Sequence, residues 1–251
     1  MLNIVIPMAG RGSRFQKVGF PMPKPLIPVG DRLMVELVIA NLKPSVDHRF
    51  IFICQRQHLE EFDLAQRLRA ATGDPVIVAL DGITEGAACT VLTAREHIAN
   101  DDALMIANCD QFVDASIDDY LAAMSADDLD GMIMTMSADD PKWSFVALDE
   151  QQHVTRVVEK QVISNEATVG IYNFRHGRAF VDGADAMIAR NERVNNEFYV
   201  APVYNDLIAA GSKIGIFNVG SEAQGMYGLG IPEDLALFLL PETQARLRTR
   251  P

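Results

Sequence analysis

Near the start of the chain, Ala9, Gly10 and Gly12 share one short stretch with Arg11, Arg14, Lys17 and Lys24. Glycine tolerates backbone angles closed to other residues and lets a ligand approach the main chain, so N–H groups in such a loop can point at phosphate oxygens. Arginine and lysine side chains add charge-assisted contacts to the same oxygens. The loop follows a β-branched apolar run over residues 2–6, which reads as a buried parallel strand ending at Pro7. The chain as a whole holds 34 Asp and Glu against 22 Lys and Arg, a formal net charge of −12. Against that acidic background, a cluster of cations beside two glycines points to phosphate binding.

Several common chemistries are excluded. The dinucleotide fingerprint G-x-G-x-x-G would need its third glycine where the chain has Phe15, and no G-x-x-x-x-G-K-[ST] loop occurs. His48, His58, His97, His153 and His176 show no H-x-x-x-H spacing, and there is no G-x-S-x-G nucleophile elbow. Cys54, Cys89 and Cys109 are far apart, with no C-x-x-C spacing, and read as buried thiols of a reducing cytoplasm. Asp110 suits either a turn cap or an Mg²⁺ ligand, since Mg²⁺ is usually held by one or two carboxylates with phosphates and waters. Glu159 and Lys160 read as a strand-end charge pair, and Glu197 as a helix N-terminal charge favoured by the dipole. Trp143 suits core packing or stacking on a ligand. The two Ser-Ala-Asp-Asp stretches, at 125–128 and 137–140, read as solvated turns without EF-hand spacing.

The elements that must position these residues alternate. Helices are expected over 34–42, 58–71 and 87–97, and strands over 49–54, 76–80 and 104–108, with a loop at 81–86. This is the pattern of a parallel sheet covered by helices. Beyond residue 130, short strands over 131–136, 145–148, 154–159 and 168–174 suggest an antiparallel or mixed extension. Helices over 176–189, 200–210 and 232–240 and a strand over 213–219 complete it. In open parallel sheets, ligands bind beyond the carboxyl ends of the strands, where strand order reverses. The glycine loop, the 81–86 loop and Asp110 all follow strands and can meet there.

At 251 residues the chain suits one large α/β domain. Its acidity argues against nucleic acid or anionic membrane as partner. Its apolar runs are far shorter than the roughly 20 residues that span a bilayer, and no signal-peptide pattern opens it, so a cytoplasmic protein is expected. Self-association as a homo-oligomer is left open.

The motif Gly10-Arg11-Gly12-Ser13-Arg14-Phe15, followed by Pro23-Lys24-Pro25, resembles the signature of the sugar-phosphate nucleotidyltransferases, the pyrophosphorylases that make nucleotide sugars. The resemblance covers most of the chain. It implies a three-layer α/β/α, Rossmann-like mixed sheet of the nucleotide-diphospho-sugar transferase type. A single domain over 1–251 is implied, with a nucleotide-binding half at 1–130 and an acceptor-binding half at 131–251. With few residues after Leu240, no appended acyltransferase or solenoid domain is expected.

By the same resemblance, the loop around Ala9, Gly10 and Gly12 holds a nucleoside triphosphate, and Arg14 and Lys24 neutralise it. Gly86-Ala87-Ala88 packs under base and ribose, and Asp81 stands where relatives place a base-reading side chain. As an acceptor of hydrogen bonds, Asp81 would suit guanine or cytosine. Asp110 matches the aspartate that holds Mg²⁺. Lys160, beside Glu159, meets the phosphate of the acceptor, Gly170 lies on the strand against the sugar, and Glu197 binds sugar hydroxyls. One departure stands out: relatives carry a second metal-binding Asp or Asn where this chain has Gly228. The implied reaction moves a nucleotidyl group from a triphosphate to a sugar 1-phosphate or similar small phosphorylated acceptor, releasing pyrophosphate, for polysaccharide or surface-glycan synthesis. The alternatives are a glycosyltransferase, whose D-x-D motif Asn108-Cys109-Asp110 half supplies, and a catalytically silent nucleotide-sugar-binding protein.

Overall fold

A computed structural model of the chain describes residues 1–10 and 12–248; Arg11 lies outside the described residues. Strand β1 (Leu2–Pro7) sends Leu2, Ile4 and Ile6 to one apolar cluster and Val5 to another, as a strand covered on both faces must. Outside it run β2 (His48–Gln55) and then β3 (Val76–Leu80), both parallel to it. The chain then returns to the other side of β1 as β4 (Ala103–Ala107), again parallel. Strand order therefore reverses between β1 and β4, and a crevice opens beyond their carboxyl ends.

Seven further strands join the same sheet. They are β5 (Gln111–Val113), β6 (Gly131–Ser137), β7 (Ser144–Leu148), β8 (Val154–Glu159), β9 (Glu166–Phe174), β10 (Ile214–Glu222) and β11 (Gly225–Gly228). The order is β3-β2-β1-β4-β9-β6-β10-β11-β5, with β7 on β9 and β8 on β7. Strand β9 is antiparallel to both β4 and β6, which makes the sheet mixed. The Met34–Leu42 helix covers one face with Val35, Val38 and Leu42, and the Gly177–Ala189 helix covers the other with Phe180, Val181 and Ala184.

A third, smaller apolar cluster fixes the opening loop. Phe15, in the Ser13–Lys17 helix, is fully buried among Ile27, Met34, Tyr227, Leu229 and Phe238. The residue that breaks the dinucleotide fingerprint is thus the anchor of the loop, worth about 1.5–3 kcal/mol of burial.

Several elements differ from expectation. The helix expected over 58–71 divides into Arg56–Glu61 and Leu64–Thr72, broken at Phe62, whose backbone is extended (φ −131°, ψ 132°) and whose side chain packs against the core. The helix expected over 87–97 divides into Ala87–Leu92 and Arg95–Ile98, where the hydroxyls of Thr90 and Thr93 donate back to carbonyls of the preceding turn. The stretch at 200–210 opens as a 3₁₀ turn, Ala201–Val203, before Tyr204–Ala209. Ile117–Ala126 is a helix where no element was expected, and only its last two residues belong to the first Ser-Ala-Asp-Asp stretch.

Candidate functional site

Beyond the ends of β1 and β4, Gly10 and Gly12 face Asn108, Cys109 and Asp110 across a cavity of about 270 Å³. Pro23 and Pro25 flank Lys24 at the start of the short 3₁₀ turn Lys24–Leu26, and Lys24 lines that cavity. Its Nζ donates to Asp110 Oδ2 at 2.5 Å, an ion pair about a quarter exposed on each side. Burial pulls the Lys24 ammonium down, but the charge of Asp110, the neighbouring Cys109 and the hydrogen bond to Asp110 together outweigh it and leave the pKa above the ordinary lysine value. Lys24 is therefore a fixed positive charge. Burial pushes the Cys109 thiol up to about 11, so it stays protonated and is no nucleophile. Arg14 is exposed on the Phe15 helix, near enough for its charge to act on Lys24.

Gln55, which nothing in its sequence context singled out, ties two loops together at the end of β2. Its Nε2 donates to the carbonyls of Ala9 and Gly82, each at 2.6 Å. Asp81, next to Gly82, is exposed and already engaged by Arg56, whose Nε donates to it at 2.6 Å. The hydrogen bond from Arg56 holds the Asp81 carboxyl below its usual range. Asp81 is thus one half of an exposed ion pair, outside the residues that line either cavity.

A second cavity, of about 280 Å³, adjoins the first at Asn108, which lines both. It brings together Ala87, Glu159, Lys160 and Gly170, with Trp143 and Tyr199 as aromatic walls. Gly170 has φ +82°, and a Cβ there would collide with the Asn108 side chain. Glu159 is 8 % exposed and accepts a very short hydrogen bond from Ser144 Oγ. Burial raises its pKa, only partly offset by Ser144 and Lys160. Lys160 donates to the Tyr199 hydroxyl at 2.6 Å, which raises its own pKa. Glu197 is exposed and lies beside Tyr199 and Lys160 at the rim, outside the residues that line the cavity. Gly86, at φ +129°, lies so close to Phe198 that a Cβ would strike its backbone, and Phe198 N donates to Glu85 O at 2.8 Å. The loop before Ala87 is thereby clasped to the segment that carries Tyr199.

Asp110 is the one carboxylate among the residues that line the first cavity, so any metal there would draw a single charged ligand from that lining. No group of three His, Cys, Asp or Glu able to hold a metal occurs among the described residues. A Cβ at Gly230 would run into Asp110 Oδ2, so the missing side chain leaves room around that oxygen. At Gly228, a Cβ would come 2.8 Å from Asp234 Oδ2: the space a side chain there would enter is taken by another carboxylate.

Two adjoining cavities, each with its own lysine and meeting at one asparagine, define a class: an α/β protein with paired, cation-lined clefts at a sheet switch point. Sequence comparison gives the family. Residues 4–198 match the nucleotidyl transferase family, and the chain belongs to it. It is 24% identical over 180 residues to the bifunctional protein GlmU of Methanococcus aeolicus, covering 70% of this chain and 40% of that protein. It is also 24% identical over 173 residues to the low-salt glycan biosynthesis nucleotidyltransferase Agl11 of Haloferax volcanii, covering 68% and 48%. The chain thus spans less than half the length of these curated relatives. The crystal structure of a nucleoside-diphosphate-sugar pyrophosphorylase from Vibrio cholerae superposes with a TM-score of 0.80 at 25% identity, over 94% of this chain and 99% of that one. Solved structures of this type share the nucleotide-diphospho-sugar transferase fold.

Proposed function

We propose that the protein transfers a nucleotidyl group from a nucleoside triphosphate to a sugar 1-phosphate or a similar small phosphorylated acceptor, releasing pyrophosphate and leaving a nucleotide-activated glycan precursor. The observation that carries this reading is the meeting of the Lys24–Asp110 cavity and the Lys160 cavity at Asn108. Residues 1–130 supply the triphosphate side and residues 131–251 most of the acceptor side. An acceptor phosphate oxygen attacks the α-phosphorus in line. A new P–O bond forms, the bond to the β-phosphate oxygen breaks, and its electron pair leaves on pyrophosphate. No enzyme nucleophile is required, in keeping with the protonated Cys109.

The chain's part is alignment and charge. The loop at Ala9, Gly10 and Gly12 cradles the triphosphate, while Lys24 and Arg14 neutralise charge that grows on the leaving pyrophosphate. Gly86 and Ala87 set the floor under the nucleoside, with Asp81 at its rim. Lys160 holds the acceptor phosphate, and Glu159, Gly170 and Glu197 border the rest of the acceptor. Asp110 would hold Mg²⁺, together with triphosphate oxygens, and the ion when bound supplies further charge neutralisation. The free thiols Cys54, Cys89 and Cys109 favour a reducing compartment, the cytoplasm. Among the described residues, no helix is long and apolar enough to cross a membrane.

The test is incubation with each nucleoside triphosphate, a panel of sugar 1-phosphates and Mg²⁺, following pyrophosphate. Release that depends on both substrates is the expected result. Sugar transfer to a third molecule instead would make the protein a glycosyltransferase, and binding without turnover would make it a nucleotide-sugar-binding protein.

A further inference from the structure

Lys142 is also among the residues that line the second cavity, and it lies in the turn between β6 and β7, just after the stretch that reads in sequence as a solvated acidic turn. It lines the same cavity as Lys160, and the two lysines are placed alike. Lys142 Nζ lies 4.8 Å from the centre of the Trp143 ring, and Lys160 Nζ lies 4.8 Å from that of Tyr199. Both aromatic walls are therefore already covered by cations, which leaves the cavity suited to an anion rather than to an ammonium group. Trp143 Nε1, moreover, is a buried donor without a partner.

The Lys142 charge is occupied in this state. Its Nζ donates to both oxygens of Glu222, at 2.9 and 3.2 Å, with Asp140 Oδ2 at 3.8 Å. Glu222 is the last residue of β10 and is not among the residues that line the second cavity, so the pair ties the β6–β7 turn to the β10–β11 turn and holds the Lys142 charge on a carboxylate outside that lining. Both side chains remain about two-fifths exposed or more. Exposed pairs of this kind are weak, and a phosphate dianion can outcompete a carboxylate for the lysine.

We propose that Lys142 is a second cation for the acceptor phosphate, restrained by Glu222 until the acceptor enters and then exchanged from carboxylate to phosphate. The phosphate is held between Lys142 and Lys160, and Glu222 sets how readily the cavity takes it. The identity of that phosphate as the acceptor's rests on the nucleotidyl-transfer reading; the presence of a phosphate site does not.

Opposite responses of the two partners test this. Binding of inorganic phosphate by ³¹P NMR reports the site without turnover, and KM for the sugar 1-phosphate that releases pyrophosphate fastest reports it during reaction. Glu222→Gln should tighten both by about two- to five-fold, the range an exposed ion pair spans. Lys142→Met should weaken both by about tenfold with kcat little changed, the loss of one charge-assisted contact. Lys142→Arg should stay near wild type, and the double variant should follow Lys142→Met. A purely structural clasp would move both single variants in the same direction, and that result, or no movement in either, overturns the proposal. Opposite shifts in phosphate binding with no pyrophosphate released from any acceptor would keep the Lys142 site and sink the transfer reading.

Discussion

Asp110 spends its charge on Lys24 before any substrate arrives, and this decides how a metal can bind. One carboxylate already paired with a lysine is a poor site for a strongly hydrated ion, whereas a bound triphosphate would bring further oxygen ligands and compete with Asp110 for Lys24. Calorimetry should therefore find Mg²⁺ binding only when triphosphate or product is present, and Asp110→Asn should lose most turnover. Tight, stoichiometric Mg²⁺ binding to the nucleotide-free protein that survives in Asp110→Asn would place the ligands elsewhere. Glu159 gives a prediction in pH. Burial raises its pKa above the ordinary 4.5, so its contribution to stability is complete below that value and is lost as pH rises through the elevated one. Glu159→Gln keeps the shape and a polar partner for Ser144 without the buried charge. It should melt at a higher temperature than wild type near pH 8 and match it near pH 4; equal melting at both would show the carboxylate is well solvated.

The elements were legible where one apolar period ran unbroken. The helix Met34–Leu42 and the strands Val76–Leu80 and Val154–Glu159 lie where the sequence places them. The rest depended on partners remote in the chain. Strands β5 and β11 are only three and four residues long and exist because they pair with each other, a contact no local window contains. The Ile117–Ala126 helix did carry a signal: Ser116 Oγ accepts from Asp119 N at 3.1 Å, and Ser followed by acidic residues is an N-terminal signature. At the candidate site, the loop of Gly10, Gly12 and Lys24 could be read from residue type and spacing, whereas the aspartate after β4 read equally as a turn cap until the family resemblance singled it out. Gln55, Asn108 and Lys142 could not, since their place is set by the strand order. Phe15 shows how an element carries function at one remove. Phe15→Ala should cost about 3–5 kcal/mol, the usual loss for an emptied aromatic site. Because the same helix carries Arg14, triphosphate affinity should fall as well. A variant that melts lower yet binds triphosphate as wild type would separate the anchor from the loop.

At the scale of the whole molecule, the Gly86 clasp on Phe198 ties a loop of the first half of the chain to a segment of the second, and the residues beside it, Ala87 and Tyr199, line one cavity together. Gly86→Ala should raise KM for triphosphate and acceptor together; an effect on the triphosphate alone would mean that the clasp transmits nothing. The strand order also has a consequence for how the protein is made. Strand β9, residues 166–174, fills the slot between β4 and β6, and β5 waits at the far edge for β11 at residues 225–228. A chain emerging from the ribosome at about 5–20 residues per second thus presents the bare edge of β4 for several seconds before its neighbour exists. Such an edge is a template for other strands. Nascent chains arrested before residue 166 are the species on which chaperones should act, and the ones most prone to pair with one another.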